Sequence, residues 1–184
     1  MKAILSSLLP LALVVAQCHK HDPDPAKPED QLPAATQTGA DTFGCLVNGQ
    51  PWLPSGNNGT PNSVALYDSS VNSADGAQIN IKAYRLAATE TYMTLYFRKI
   101  DSQKRTFTMN LPAFGQPVTE AFGCCEGSFG SFCVSSLTYL SGQIVLTRID
   151  EKAGVIAGTF WFTALQKGRS DTPKVTKGRF DYKI

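Results

Sequence analysis

The chain has 184 residues, of which 42% are hydrophobic, 17% charged and 10% aromatic, with a formal net charge of +2. This length suits one domain with appendages, the apolar fraction excludes a wholly disordered chain, and the near-neutral charge lacks the basic excess of a nucleic-acid binder. Five cysteines and two histidines limit the chemistry, because His19 and His21 both precede residue 42 and an odd cysteine count needs an explanation.

Met1 and Lys2 form a short positive leader, and Ala3 to Ala16 is an apolar run of 14 residues. Such a run is shorter than the ~20 residues of a membrane-spanning helix and matches the apolar region of a signal peptide, here residues 1–17. It ends Val15-Ala16-Gln17-Cys18, which resembles a bacterial lipobox whose cysteine is lipidated and becomes the mature N-terminus. Gln17 stands where that signal carries Gly, Ala or Ser. Ordinary cleavage after Ala16 is the alternative, and it would give a secreted soluble protein. Lipidation of Cys18 leaves four cysteines, an even set, for the rest of the chain.

Residues 18–41 read as the lipidated cysteine and a disordered tether. Over 19–41 there are four prolines, five acids, one large aliphatic residue (Leu32) and no aromatics, too little apolar surface to offset ordering entropy. In polyproline II conformation, at about 3.1 Å per residue, these 23 residues reach roughly 70 Å. His19-Lys20-His21-Asp22 lacks the further ligand that would complete a metal site, so neither a metal nor a cofactor is expected.

From Thr42 the pattern changes to short alternating runs. Phe43, Cys45 and Val47 alternate with Gly44, Leu46 and Asn48, and Asn48-Gly49 is a hairpin turn signal because both residues tolerate positive φ. Trp52 opens the return strand. Further runs are Val64–Tyr67, Ile79/Ile81/Ala83, Met93/Leu95/Phe97, Phe107/Met109/Leu111, Ile144/Leu146, Phe160/Phe162 and Phe180/Tyr182/Ile184. Their period of two, with no helical stripe, predicts an all-β domain over 42–184: an antiparallel sandwich or barrel of about 8–10 strands. Tyr84, Tyr92, Tyr96 and Trp161 fall on the opposite face of their runs, which implies a partly covered second sheet face. Asp150 to Gly154 reads as a turn, Gly158 and Gly178 each as a bulge or a point of close backbone approach, and Pro112 to Phe132 as the longest irregular stretch.

That stretch holds Cys124, Cys125 and Cys133. The paired C-x-x-C knuckles of a zinc site are absent and export favours disulfides, so the bridge candidates are Cys45, Cys124, Cys125 and Cys133. Adjacent cysteines in an extended chain point to opposite sides. One of Cys124 and Cys125 is therefore expected to pair with Cys133, and the other with Cys45. Phe114, Phe122, Phe129 and Phe132 lie in or beside the same stretch. With Trp52 and Trp161 they are the candidate binding surface, and plugging of the core is their other reading.

A domain without histidine has no Ser-His-Asp or Cys-His pair and no histidine-based zinc site. A two-carboxylate hydrolase acting on carbohydrate is the remaining enzymatic alternative, with Glu120 and Glu126 its candidate pair and carboxyls about 5–10 Å apart. Residues 42–184 carry 14 bases against 10 acids, and six of the bases fall within the last 18 residues.

Leu32-Pro33-Ala34-Ala35-Thr36-Gln37-Thr38-Gly39, Thr42-Phe43-Gly44-Cys45-Leu46-Val47-Asn48-Gly49 and Trp52 resemble the opening of a family of uncharacterised lipoproteins from Bacteroidota-type bacteria. Ile144–Asp150, Ile156–Phe162 and Val175–Asp181 resemble its tail. The resemblance implies export, an N-terminal lipid and a β domain, and it offers no catalytic residues. The sequence as a whole leads to a non-catalytic, lipid-anchored envelope protein that binds or supports. Its expected partners are a membrane through the lipid and a glycan or envelope protein, with no nucleic acid.

Overall fold

The computed structural model describes residues 26–56, 59–69, 76–86, 90–101, 103, 105–110, 120–126, 137–166 and 172–184. The strands are β1 (Thr42–Val47), β2 (Gln50–Trp52), β3 (Ser63–Asp68), β4 (Ala77–Leu86), β5 (Glu90–Ile100), β6 (Thr106–Asn110), β7 (Ala121–Glu126), β8 (Leu137–Asp150), β9 (Val155–Gln166) and β10 (Lys174–Lys183). They form one ten-stranded sheet in the order β2-β1-β10-β9-β8-β6-β7-β5-β4-β3. The protein is all-β, as alternation predicts. The sheet curls on itself as a half-barrel, neither two stacked sheets nor a closed ring. It is also mixed: β6 and β7 pair in parallel through Met109 and Ala121, whereas the other ladders are antiparallel.

Alternation explains the core. Ile79, Ile81 and Ala83 on β4, Met93, Leu95 and Phe97 on β5, and Phe107 and Met109 on β6 share the inner face with Ile144, Phe160, Phe162, Phe180 and Tyr182. The curl brings distant strands together across this interior. The rings of Phe97 and Phe180 lie 6.3 Å apart, and Cys45 Sγ stands 3.8 Å from Met93 Sδ. Ser55 reaches across to β4, donating its N–H to the Tyr84 carbonyl and accepting from Leu86. The Tyr67 hydroxyl donates to the Glu151 carboxylate and ties edge strand β3 to the β8–β9 turn.

The turns follow their residues. Asn48 and Gly49 have φ of 50° and 81°, the left-handed pair that a tight hairpin needs. At the β8–β9 turn the Asp150 carboxylate accepts the Ala153 N–H at 2.9 Å, and Gly154 takes φ of 64°.

Two expectations are corrected. The irregular stretch 112–132 contains a strand, β7, which pairs with β5 from Tyr92↔Glu126 to Phe97↔Ala121. Its alanine, glycine and cysteines lack the β-branched signature, and the partner strand provides the ladder that local propensity does not. Residues 26–41 are not a free tether. Pro28–Gln31 form a single 3-10 turn, Leu32 is buried, and the segment lies as a strap over the outer side of β1 and β10. Pro33 packs so closely on Gly44 that a Cβ there would meet its ring at 2.7 Å.

The strap is clasped by Asp181. This β10 carboxylate is 1% exposed and accepts from Thr36 Oγ1 at 2.7 Å, Thr38 N at 2.9 Å and Gly39 N at 2.7 Å. Burial alone would raise its pKa, but the hydrogen bonds from Thr36, Thr38, Gly39 and Ala40 outweigh burial and hold it below the ordinary carboxylate value. Ion pairing of Lys177 with Glu29 at 3.3 Å adds an exposed contact near the start of the strap.

Candidate binding face

Outward positions are set by the same alternation. On β9 Phe160, Phe162 and Ala164 point inward, so Thr159, Trp161 and Thr163 point outward. Antiparallel register then places Gln143 of β8 opposite Trp161, and Val145 opposite Thr159. Thr108 of β6 lies opposite Gln143, and Arg179 of β10 lies opposite Thr159. The result is a sheet face of hydroxyl, amide and guanidinium side chains around one indole. Trp161 is 46% exposed, the most exposed aromatic side chain among the described residues.

A groove of about 310 Å³ runs beside that indole, lined by Gln143, Thr159, Trp161, Lys177 and Arg179, with Ala35 of the strap as one wall. The position of Lys177 comes from an irregularity in the β9–β10 register between Val175 and Gly178, where Lys177 itself has φ of 54°. The extra residue turns a second cation toward the groove. No carboxylate is among the groove's lining residues.

A second aromatic group occupies the outer side of β4, β5 and β7. Tyr96 stacks on Phe122 with ring centroids 5.2 Å apart, and Tyr84 faces Tyr92 at 6.4 Å. Tyr92 is exposed, and Tyr96 donates its hydroxyl to Gln78 at 2.8 Å.

The predicted site residues separate accordingly. Trp161 is at the centre of the groove face, and Phe122 lies half-buried on the same outer surface three strands away. Trp52 is not a surface residue: it is 2% exposed, donates from Nε1 to Thr91 Oγ1 at 3.1 Å and meets the Phe43 ring edge-on. It faces inward because it lies directly opposite Cys45, an inner position of β1. Phe114, Phe129, Phe132, Cys133 and Cys18 lie outside the described residues, as does the side chain of Cys124.

Cys45 and Cys125 are free thiols in the interior. The expected clamp from Cys45 is therefore not formed through Cys125. Burial pushes the Cys125 thiol up to about 12, and burial together with the neighbouring Cys125 holds Cys45 well above its ordinary value. Both sulfurs are protonated and unreactive at neutral pH. Glu120 precedes β7 and Glu126 ends it, six residues or about 20 Å of extended backbone apart, and the side chain of Glu126 lies outside the described residues. Among the described residues no group of three or more His, Cys, Asp or Glu side chains stands where a metal ion could be held.

Gln143, Thr159, Lys177 and Arg179 are the site residues that sequence reading missed. Alternation marks each as outward-facing, but only the pairing of β8, β9 and β10 gathers them around Trp161. No family model, curated protein or solved structure matches the chain.

Proposed function

We propose that the protein is an exported, lipid-anchored envelope protein whose β domain binds a saccharide on the outer face centred on Trp161. The observation that carries this reading is a single exposed indole lining a groove with Gln143, Thr159, Lys177 and Arg179. An indole offers an apolar platform to the C–H face of a sugar ring, while amide, hydroxyl and guanidinium groups around it meet the ring's hydroxyls. The lipobox-like Val15-Ala16-Gln17-Cys18 supports the anchor, and the strap supports a route from the anchor to the domain. In this reading the protein acts by binding and not by bond cleavage.

Two measurements test it. In affinity electrophoresis against a panel of soluble polysaccharides, the full-length protein in detergent is retarded by at least one of them. Trp161→Ala abolishes that retardation while its melting temperature stays within a few degrees of wild type, since the ring is on the surface. Retention of binding by Trp161→Ala, or no retardation by any polysaccharide, removes the reading. Cys18→Ser moves the protein from the detergent phase to the aqueous phase of a cloud-point partition. A wild-type protein found in the aqueous phase with no acyl mass removes the anchor.

A further inference from the structure

We infer that the Trp161 groove selects an acidic saccharide unit, a sugar bearing a carboxylate or a sulfate, and that Arg179 is the residue that reads the charge. The inference rests on the saccharide-binding reading above and specifies its ligand class.

The argument begins with charge placement. Two cations, Lys177 and Arg179, line a groove whose lining residues include no acid. They are not equivalent. Lys177 is ion-paired with Glu29 of the strap at 3.3 Å, so a carboxylate of the protein already compensates its charge. Arg179 has no ion pair among the described residues. Asp181, the nearest acid on its own strand, is committed to the donors of the strap.

Geometry then narrows the ligand. Arg179 lies opposite Thr159 on β9, and Thr159 is two residues from Trp161 on the same face. A sugar ring stacked on the indole therefore places its substituents over Thr159, Gln143 and the guanidinium together. A guanidinium fork matches two oxygens of a planar carboxylate or a sulfate, which a neutral hydroxyl cannot supply. The amide- and hydroxyl-bearing chains that share the groove with it (Gln143, Thr159) give hydrogen bonds to a polyol, and a lipid headgroup lying on a bilayer would use few of them. The surplus of bases over acids in residues 42–184 raises the local concentration of an anionic polymer.

The test uses the full-length protein in detergent and four probes: polygalacturonate, dextran sulfate, a neutral β-glucan, and vesicles containing phosphatidylglycerol. The expected result is binding to one or both acidic polymers at least tenfold tighter than to the β-glucan, weakening as salt rises from 20 to 300 mM. Arg179→Gln removes that preference, lowering affinity for the acidic polymer at least tenfold while leaving the fold intact by circular dichroism. Trp161→Ala abolishes binding to the polymers altogether. Equal binding to acidic and neutral polymers, or an unchanged preference in Arg179→Gln, overturns the inference and leaves the saccharide reading standing. Binding to the vesicles with no binding to any polymer overturns both.

Discussion

Asp181 shows how one residue can decide the state of a distant segment. Its carboxylate receives donors from Thr36, Thr38 and Gly39, more than 140 positions earlier in the chain. Asp181→Asn places an amide N–H₂ among those donors and is expected to cost roughly 2–3 kcal/mol, measured by urea denaturation at neutral pH. The folded pKa lies below the ordinary value of 3.8, so the stabilisation is complete above about pH 5 and is lost as pH falls through 3.8 toward the lowered value. The gap between wild type and Asp181→Asn should accordingly shrink between about pH 5 and pH 3. A gap constant over that range would show that the carboxylate's ionisation is not what holds the strap. Cys45 and Cys125 supply a second residue-scale test. Iodoacetamide leaves both unlabelled in the native protein and labels both after denaturation without reductant; two residues that stay unlabelled when unfolded would mean that a bridge exists.

At the scale of elements, glycine and phenylalanine face each other across the β9–β10 ladder: Gly178 lies opposite Phe160 and Gly158 opposite Phe180. A Cβ on Gly178 would stand 2.6 Å from three Phe160 ring carbons, and one on Gly158 would stand 2.6 Å from both the Phe180 ring and the Val145 carbonyl. Each ring therefore lies over the backbone of the neighbouring strand, in the space a side chain would otherwise take. Gly178→Ala and Gly158→Ala should each lower stability by about 1–3 kcal/mol, seen as a fall in the thermal midpoint. The Gly158 variant should be the worse of the two, because a carbonyl of the ladder can move less than a ring. Close approach at these glycines is legible in the sequence as glycine inside an apolar alternation. Strand β7 is not, since Ala121-Phe122-Gly123-Cys124-Cys125 has the composition of a turn-rich loop and becomes a strand only through β5.

For the whole molecule, the domain does not begin where the alternation begins. The strap from residue 32 onward covers Gly44 and closes over the buried Asp181 carboxylate. A chain starting at Thr42 is thus expected to be less stable than one starting at residue 26, since it bares Gly44, loses the buried Leu32 and strips Asp181 of its donors. Equal unfolding midpoints for the two chains would show the strap to be a passive cover. The strap is also a wall of the Trp161 groove, so the segment that leads back toward Cys18 contributes to the proposed binding face. By itself, the sequence determined the all-β class, most strand positions, the Asn48-Gly49 turn and the set of inward and outward side chains, because period-two alternation and turn chemistry are local. The tertiary structure alone decided which strands are neighbours, that β7 exists, that Asp181 captures the strap, and that Trp52 is buried while Trp161 is exposed. Those outcomes depend on partners far apart in the chain: alternation assigns a side chain to a face, and only the folded neighbours determine whether that face is covered.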